Sequence, residues 1–177
     1  MPTDTRAALV RPSSDSSAPV GSPERLSAEV FAAVVANAPL VSIDLIIEDA
    51  QGRILLGLRK NPPAKDYWFV PGGRVRKGEK LDQAFTRLIQ EETGVSAMRS
   101  EASLIGIYEH FYETDFTGIA GRTTHYIVLA YRLRINRHEW HLPKQQHSEY
   151  QWIDEDRVAY LPSVHPYTQA YFATVRS

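Results

Sequence analysis

The stretch VSIDLIIE, residues 41–48, alternates so that Val41, Ile43, Leu45 and Ile47 share one face, the two-residue period of a strand. Asp44 falls on the opposite face, a carboxylate inside an otherwise apolar run. The turn-forming DAQGR follows, and ILLGLRK over 54–60 reads as the second arm of a hairpin. YWFV, 67–70, predicts a short third strand stopped by Pro71. Upstream, SAEVFAAVVANAP predicts a helix with Ser27 as N-cap, Glu29 in the first turn, and Val30, Val34 and Ala38 along one stripe.

A second helix is expected over 81–92, ended by Gly94. At about 100° per residue, Leu81, Phe85, Leu88 and Glu92 fall in one narrow sector, so a carboxylate continues an apolar stripe. Burying a carboxylate is costly unless it is paired or holds a cation. The second half is mostly strand: ASLIGIYEHFY (102–112) and THYIVLAYRLRI (124–135), separated by the Gly- and Thr-rich ETDFTGIAGRT, then YQWID (150–154). HPYTQAYFATV, 165–175, predicts a closing helix with Pro166 in its first turn. No internal repeat is present. Strands and helices in this order predict an α/β domain, a mixed sheet sandwiched between helices.

Composition narrows the partners more than the chemistry. A chain of 177 residues is most simply one domain with a real core. Lys+Arg 20 against Asp+Glu 21 gives a net charge of −1, which argues against a general nucleic-acid binder. The absence of cysteine excludes disulfides, thiolate metal sites and a cysteine nucleophile, and suits a reducing cytoplasm. No stretch is long and apolar enough to cross a membrane or serve as a signal peptide. Residues 1–25, rich in Ser and Pro, are expected to be a disordered extension, with the folded domain over 26–177.

Across the predicted loop, helix and stop, Gly73, Glu79, Arg87, Glu91, Glu92, Gly94 and Val95 recur at fixed intervals. This spacing resembles the Nudix box: Gly, five residues, Glu, seven residues, Arg-Glu, an aliphatic, any residue, Glu-Glu, any residue, Gly, an aliphatic. Ile89 supplies the aliphatic, and a single position departs from the pattern: Leu88 stands where the Glu after Arg is usual. Among Nudix proteins the GDP-mannose mannosyl hydrolases also carry Arg-Leu at this step. PLVSIDLIIED, GRILLGLRKNPPAKDYWFVPGGRV, YEHFY, TTHYIVL and LPKQQHSEYQWI are all similar to that branch.

The resemblance implies a Nudix fold and Mg²⁺-dependent hydrolysis of a GDP-sugar to GDP and free sugar, with inversion at the anomeric carbon; Mn²⁺ could replace Mg²⁺. Such a reaction needs a base for water, a cation for the leaving group, and charge that tolerates an oxocarbenium-like transition state. By resemblance His147 is the general base, Asp44 stabilises the cationic sugar, and Gly72 (through its carbonyl), Glu92 and Gln146 hold the metal. Gln145 is a one-residue alternative to Gln146. Arg59 and Arg74 match groups that neutralise the diphosphate, His110 and Tyr126 match groups near the diphosphate or leaving group, and Arg87 matches the box. Trp68 and Phe69 are assigned to packing. Glu91 reads as a solvated helix-end carboxylate pairing with Arg87 at i, i+4. A homodimer is implied, with the N-terminal helix as a contact. Two other readings stay open: pyrophosphate hydrolysis at phosphorus, and a non-catalytic sensor of a nucleotide sugar.

Overall fold

A computed structural model describes residues 26–136, 140, 142–144 and 146–173. The expected disordered extension and Gln145 lie outside the described residues. The chain runs α1 (Ala28–Asn37), β1 (Leu40–Glu48), β2 (Arg53–Arg59), β3 (Trp68–Phe69), β4 (Gly72–Arg74), α2 (Leu81–Thr93), a 3₁₀ turn (Arg99–Glu101), β5 (Ser103–Thr114), β6 (Ala120–Arg134), β7 (His147–Asp154), α3 (Glu155–Val158) and α4 (Pro166–Ala170). The seven strands form one mixed sheet in the order β3-β2-β1-β6-β5, with β4 on β1 and β7 on β2. The β1–β6 pairing is parallel and the others antiparallel, the mixed α/β arrangement expected.

Each face of the sheet has its own core. On one face, Ile43, Leu45 and Ile47 of β1 pack with Leu55, Tyr131 and Leu133 against Ala84, Phe85, Leu88 and Ile89 of α2. On the other, Ile46, Ile54, Leu56, Phe69, Val70, Ala130, Val158 and Val164 gather beneath Tyr167, Tyr171 and Phe172 of the C-terminal segment. Central strand β1 is therefore apolar on both faces, and Asp44 is the carboxylate that interrupts it. Val41 is exposed, so the inward face of β1 begins at Ile43.

The hairpin is present, but β1 and β2 pair through Glu48 and Ile54. Toward its start β1 pairs instead with β4, which puts Asp44 opposite Gly72. Strand β2 pairs along its length with β7 and toward its end also with β3, which puts Arg59 opposite His147. This splaying of the sheet brings the glycine loop, the end of β2 and the start of β7 to one place.

The sequence pattern missed three details. Strand β7 begins at His147 rather than at Tyr150, because Ser148 and Glu149 are polar and mask the pairing with β2. The glycine pair predicted as loop is strand β4, carried by backbone pairing that side-chain propensity cannot report. The closing helix over 165–175 is shorter, Pro166–Ala170, followed by a turn; residues 174–177 lie outside the described residues.

Candidate active site

The box loop and helix are held together by Arg87. Its guanidinium donates to both oxygens of Glu79 at 2.6 and 2.8 Å, to Glu91 at 3.0 Å and to the Arg74 carbonyl at 3.1 Å. Glu79 also accepts from the Arg76 backbone N–H at 2.9 Å, and the Arg87 hydrogen bonds hold its carboxyl below the usual range. The long Gly–Glu–Arg spacing thus closes a loop around one bidentate ion pair. Glycine is required at Gly72, where the loop meets backbone, and at Gly73 leaves room for the Leu88 side chain. A Cβ on Gly72 would lie 2.5 Å from the Ile43 carbonyl oxygen, and one on Gly73 would lie 2.7 Å from Leu88 Cδ2. Gly94, at φ 69°, ends α2 in the left-handed region.

Around this loop the fold forms a cleft of about 410 Å³. Asp44, Arg59, Gly72, Arg74, Arg87, His110, Tyr126 and Gln146 all line it, although they come from β1, β2, β4, α2, β5, β6 and the segment before β7. Arg74 lies 3.9 Å over the ring of Phe31, which itself packs at 4.8 Å from Phe116. His110 and Tyr126 face each other in the β5–β6 ladder. Arg59 donates from Nε to the Pro63 carbonyl at 3.1 Å.

Two carboxylates are buried at or behind this cleft: Asp44 lines it, whereas Glu92 does not, the lining residues of α2 being Arg87, Leu88 and Glu91. Asp44 is 7% exposed and accepts from the Tyr171 hydroxyl at 2.6 Å; burial pushes its carboxyl up to about 6, while Tyr171 and Arg59 pull the other way. Glu92 is 3% exposed, the buried member of the apolar stripe. Burial pushes it up to about 7, with Arg59 opposing and Glu91 reinforcing. Gln146 Nε2 donates to Glu92 Oε1 at 2.6 Å, leaving the amide oxygen as the atom Gln146 can offer a cation. Glu91 is the solvated member of the pair, 42% exposed at its side chain and bridged to Arg87 and Arg76.

His147 does not line the cleft. Its ring is 1% exposed, with Nδ1 3.6 Å from Glu92 Oε2 and 3.3 Å from the Tyr150 hydroxyl. Its Nε2 is buried and has no hydrogen-bond partner among the described residues. Burial, then the charge of Arg59, pushes the imidazole down to about 4, so it is neutral at pH 7 rather than titrating there as the bare residue would. The ring packs on Gly57, where an added Cβ would come within 2.5 Å of it. Gly57→Ala should therefore turn the imidazole aside, lowering turnover and melting temperature together; steady-state kinetics and a thermal melt would check it.

The donor set tests whether a divalent cation fits. Among the described residues no three His, Cys, Asp or Glu side chains cluster as a metal site. The expected set does not require such a cluster: it is the Gly72 carbonyl, the Glu92 carboxylate and the Gln146 amide, all oxygen donors suited to a hard cation. A buried carboxylate held partly protonated by burial is a group that a cation would ionise. These residues fit.

Sequence reading missed Tyr171, Tyr112 and Phe31 as site groups. Tyr112 and Phe31 line the cleft, and Tyr171 reaches Asp44 across 127 positions. The spacing of Tyr167 and Tyr171, four apart, was the available signal, but it names a helix face and not its partner. Phe69 is a core residue as assigned, and it also lines the cleft.

Comparison with known proteins agrees with this architecture. The sequence model of the NUDIX domain matches residues 38–173. The low-salt glycan biosynthesis protein Agl8 of Haloferax volcanii is 38% identical over 148 residues, 83% of this chain and 88% of that protein. The ADP-ribose pyrophosphatase of Methanocaldococcus jannaschii is 44% identical over 70 residues, 40% of each chain. The solved MutT NUDIX hydrolase of Burkholderia pseudomallei superposes with a TM-score of 0.62 at 27% identity, covering 78% of this chain and 99% of that one. With the NUDIX model matching most of the chain and the fold shared with a solved NUDIX hydrolase, the chain belongs to the NUDIX family and is a Nudix hydrolase.

Proposed function

We propose that the protein hydrolyses a GDP-sugar of the GDP-mannose type at the anomeric carbon, releasing GDP and the inverted sugar. The observation that carries this reading is the distribution of buried carboxylates. The box helix contributes one, Glu92; one turn earlier Leu88, only 2% exposed, packs in the helix–sheet core where the box pattern has Glu. The second buried carboxylate, Asp44, belongs to the sheet. A site with few box carboxylates is poorly equipped to activate water beside phosphorus, whereas a carboxylate apart from the box can face a cationic sugar.

In this reading Glu92, Gln146 and the Gly72 carbonyl hold Mg²⁺ or Mn²⁺. When bound, the cation neutralises charge on the departing diphosphate. Arg59 and Arg74 add positive charge on the same cleft, with His110 and Tyr126 beside them. Arg87 acts mainly through the loop, since Glu79, Glu91 and the Arg74 carbonyl take all but one of its N–H groups. Asp44, held by Tyr171, stabilises positive charge at the anomeric carbon. Neutral His147, buried beside Glu92 and off the cleft lining, accepts the proton of the attacking water through Nε2 once its ring opens to the cleft. The name of the Haloferax relative, a glycan biosynthesis protein, is in keeping with a nucleotide-sugar substrate.

Hydrolysis at phosphorus is the competing reading, favoured by the Methanocaldococcus pyrophosphatase and by the retained Glu91. Glu91 lines the cleft, but Arg87 and Arg76 engage it there, which weakens that case. Hydrolysis of GDP-mannose with Mg²⁺ in heavy-oxygen water separates the two. The label should enter the sugar and leave GDP unlabelled, and the sugar should first appear as the anomer opposite to the substrate's. Label in phosphate, with GMP and sugar phosphate as products, would assign the protein to hydrolysis at phosphorus. No turnover of any GDP- or UDP-sugar would overturn the sugar reading in favour of hydrolysis at phosphorus of another nucleotide-linked substrate or of a sensor.

A further inference from the structure

We propose that Tyr171 is a positioning residue of this site: its hydroxyl ties Asp44 on β1 to His110 on β5 and holds His110 as the Nε2–H tautomer. Tyr171 lies in the turn after α4, outside the cleft lining, and acts through two groups that do line it. Its hydroxyl donates to Asp44 Oδ2 at 2.6 Å and is 3.2 Å from His110 Nε2. A carboxylate only accepts, and a phenol carries one hydrogen. With that hydrogen on Asp44, the contact with the imidazole is a hydrogen bond only when Nε2 carries the proton and Tyr171 accepts it. Nδ1 is then the lone-pair nitrogen of His110.

The surroundings keep this chain of bonds in one geometry. The Tyr171 ring packs edge-on against Tyr108 at 4.8 Å, and Tyr167 stacks on His110 at 4.1 Å with 3° between the planes. The Tyr167 hydroxyl donates to the Phe111 carbonyl at 2.7 Å and accepts from the Phe111 N–H at 2.8 Å. Four residues apart, Tyr167 and Tyr171 thus grip β5 at adjacent positions, one by ring stacking and backbone contact, the other by a bond shared with Asp44. His110 is 3% exposed and Asp44 7%, so neither has bulk water as a substitute partner.

The inference rests on Asp44 and His110 acting in the proposed reaction, but half of its test needs no substrate. Tyr171→Phe keeps the ring and removes the hydroxyl. Turnover of GDP-mannose with Mg²⁺ should fall about ten- to a hundredfold, the range for a lost hydrogen bond to a charged group, with KM little changed. In an Asp44→Ala background the same substitution should cost far less, because the hydroxyl's principal partner is gone. An equal loss in both backgrounds would overturn action through Asp44. Independently, ¹⁵N NMR of the wild-type protein at pH 8 should show His110 as the Nε2–H tautomer, and Tyr171→Phe should shift that resonance and admit the other tautomer. An Nδ1–H imidazole in the wild type overturns the proposal, even if the variant does not fold. So does a variant with unchanged turnover and unchanged His110 signals. Should GDP-mannose prove not to be hydrolysed at all, the proposed reaction fails and the His110 signals alone still decide whether Tyr171 positions it.

Discussion

Glu92→Gln is expected to lower hydrolysis by about a thousandfold while making the cation-free protein more stable at pH 8. The first effect follows from the ligand set. In the proposed ligand set Glu92 is the charged donor, with Gln146 and the Gly72 carbonyl, and the amide keeps its shape but gives up its charge. Lewis-acid stabilisation of a leaving group contributes several kcal/mol, and about 4 kcal/mol corresponds to ~10³ in rate. The second effect follows from burial. A carboxyl raised to about 7 in the fold, from an unfolded value of 4.5, binds more protons folded than unfolded between those values. Its ionisation therefore destabilises the fold above pH 7, and the penalty shrinks as pH falls toward 4.5.

At full ionisation that penalty is on the order of 3 kcal/mol, from 1.36 kcal/mol per pKa unit. The glutamine variant should consequently melt higher than wild type at pH 8, and the two should converge near pH 4.5. Mg²⁺ at a thousand times its Kd should reverse the order, since it then stabilises the wild type by about 4.1 kcal/mol and the variant loses that gain. Glu91→Gln, at the exposed end of the pair, should change activity and melting far less. Melting curves across pH with and without Mg²⁺, beside kinetics, would check all of this. Equal behaviour of the two variants would remove Glu92 from the ligand set.

The contrast between these neighbouring glutamates was legible in the sequence, because helical periodicity places Glu92 on the stripe of Phe85 and Leu88 and turns Glu91 away. The alternating run of β1, the glycine stop of α2 and the anomalous Asp44 were legible for the same reason: each is a local pattern. What convergence Asp44 takes part in was not. The pairing of β1 with Gly72, the reach of Tyr171 and the stacking of Tyr167 on His110 depend on segments far apart in the chain. Local periodicity carries no information about them. Leu88 is a mixed case. The departure from the box pattern was visible, but its burial in the core became clear only once α2 was placed against Ile43 and Ile47. Titration behaviour was the least legible quantity, since it depends on desolvation.

His147 shows this most plainly, and His147→Gln is expected to lower turnover by ~10²–10⁴, the usual contribution of a general base, with substrate binding largely kept. Residue type alone suggests a rate that rises with pH through the imidazole range near neutrality. Burial against Gly57 and the charge of Arg59 instead push the ring down to about 4. The neutral form is the base, so wild-type turnover should remain flat with respect to this group down to about pH 5 and fall as pH approaches 4. The glutamine variant should lack that limb. Stability should follow the same group with a defined sign: folded below its unfolded value of 6.5, the imidazole leaves the unfolded chain binding more protons between 6.5 and about 4. Its contribution is thus present above pH 6.5 and lost as pH falls through that window. His147→Gln should remove this part of the acid destabilisation, leaving the parts due to His110 and His165, which burial also pushes down to about 4. A pH–rate profile and a pH–melting series on both proteins supply the measurement. A limb near pH 6.5 that the wild type shows and the glutamine variant lacks would mean that substrate or cation opens the ring to solvent. A limb common to both belongs to Asp44 or Glu92, and an unchanged rate in the variant would assign water activation to another group.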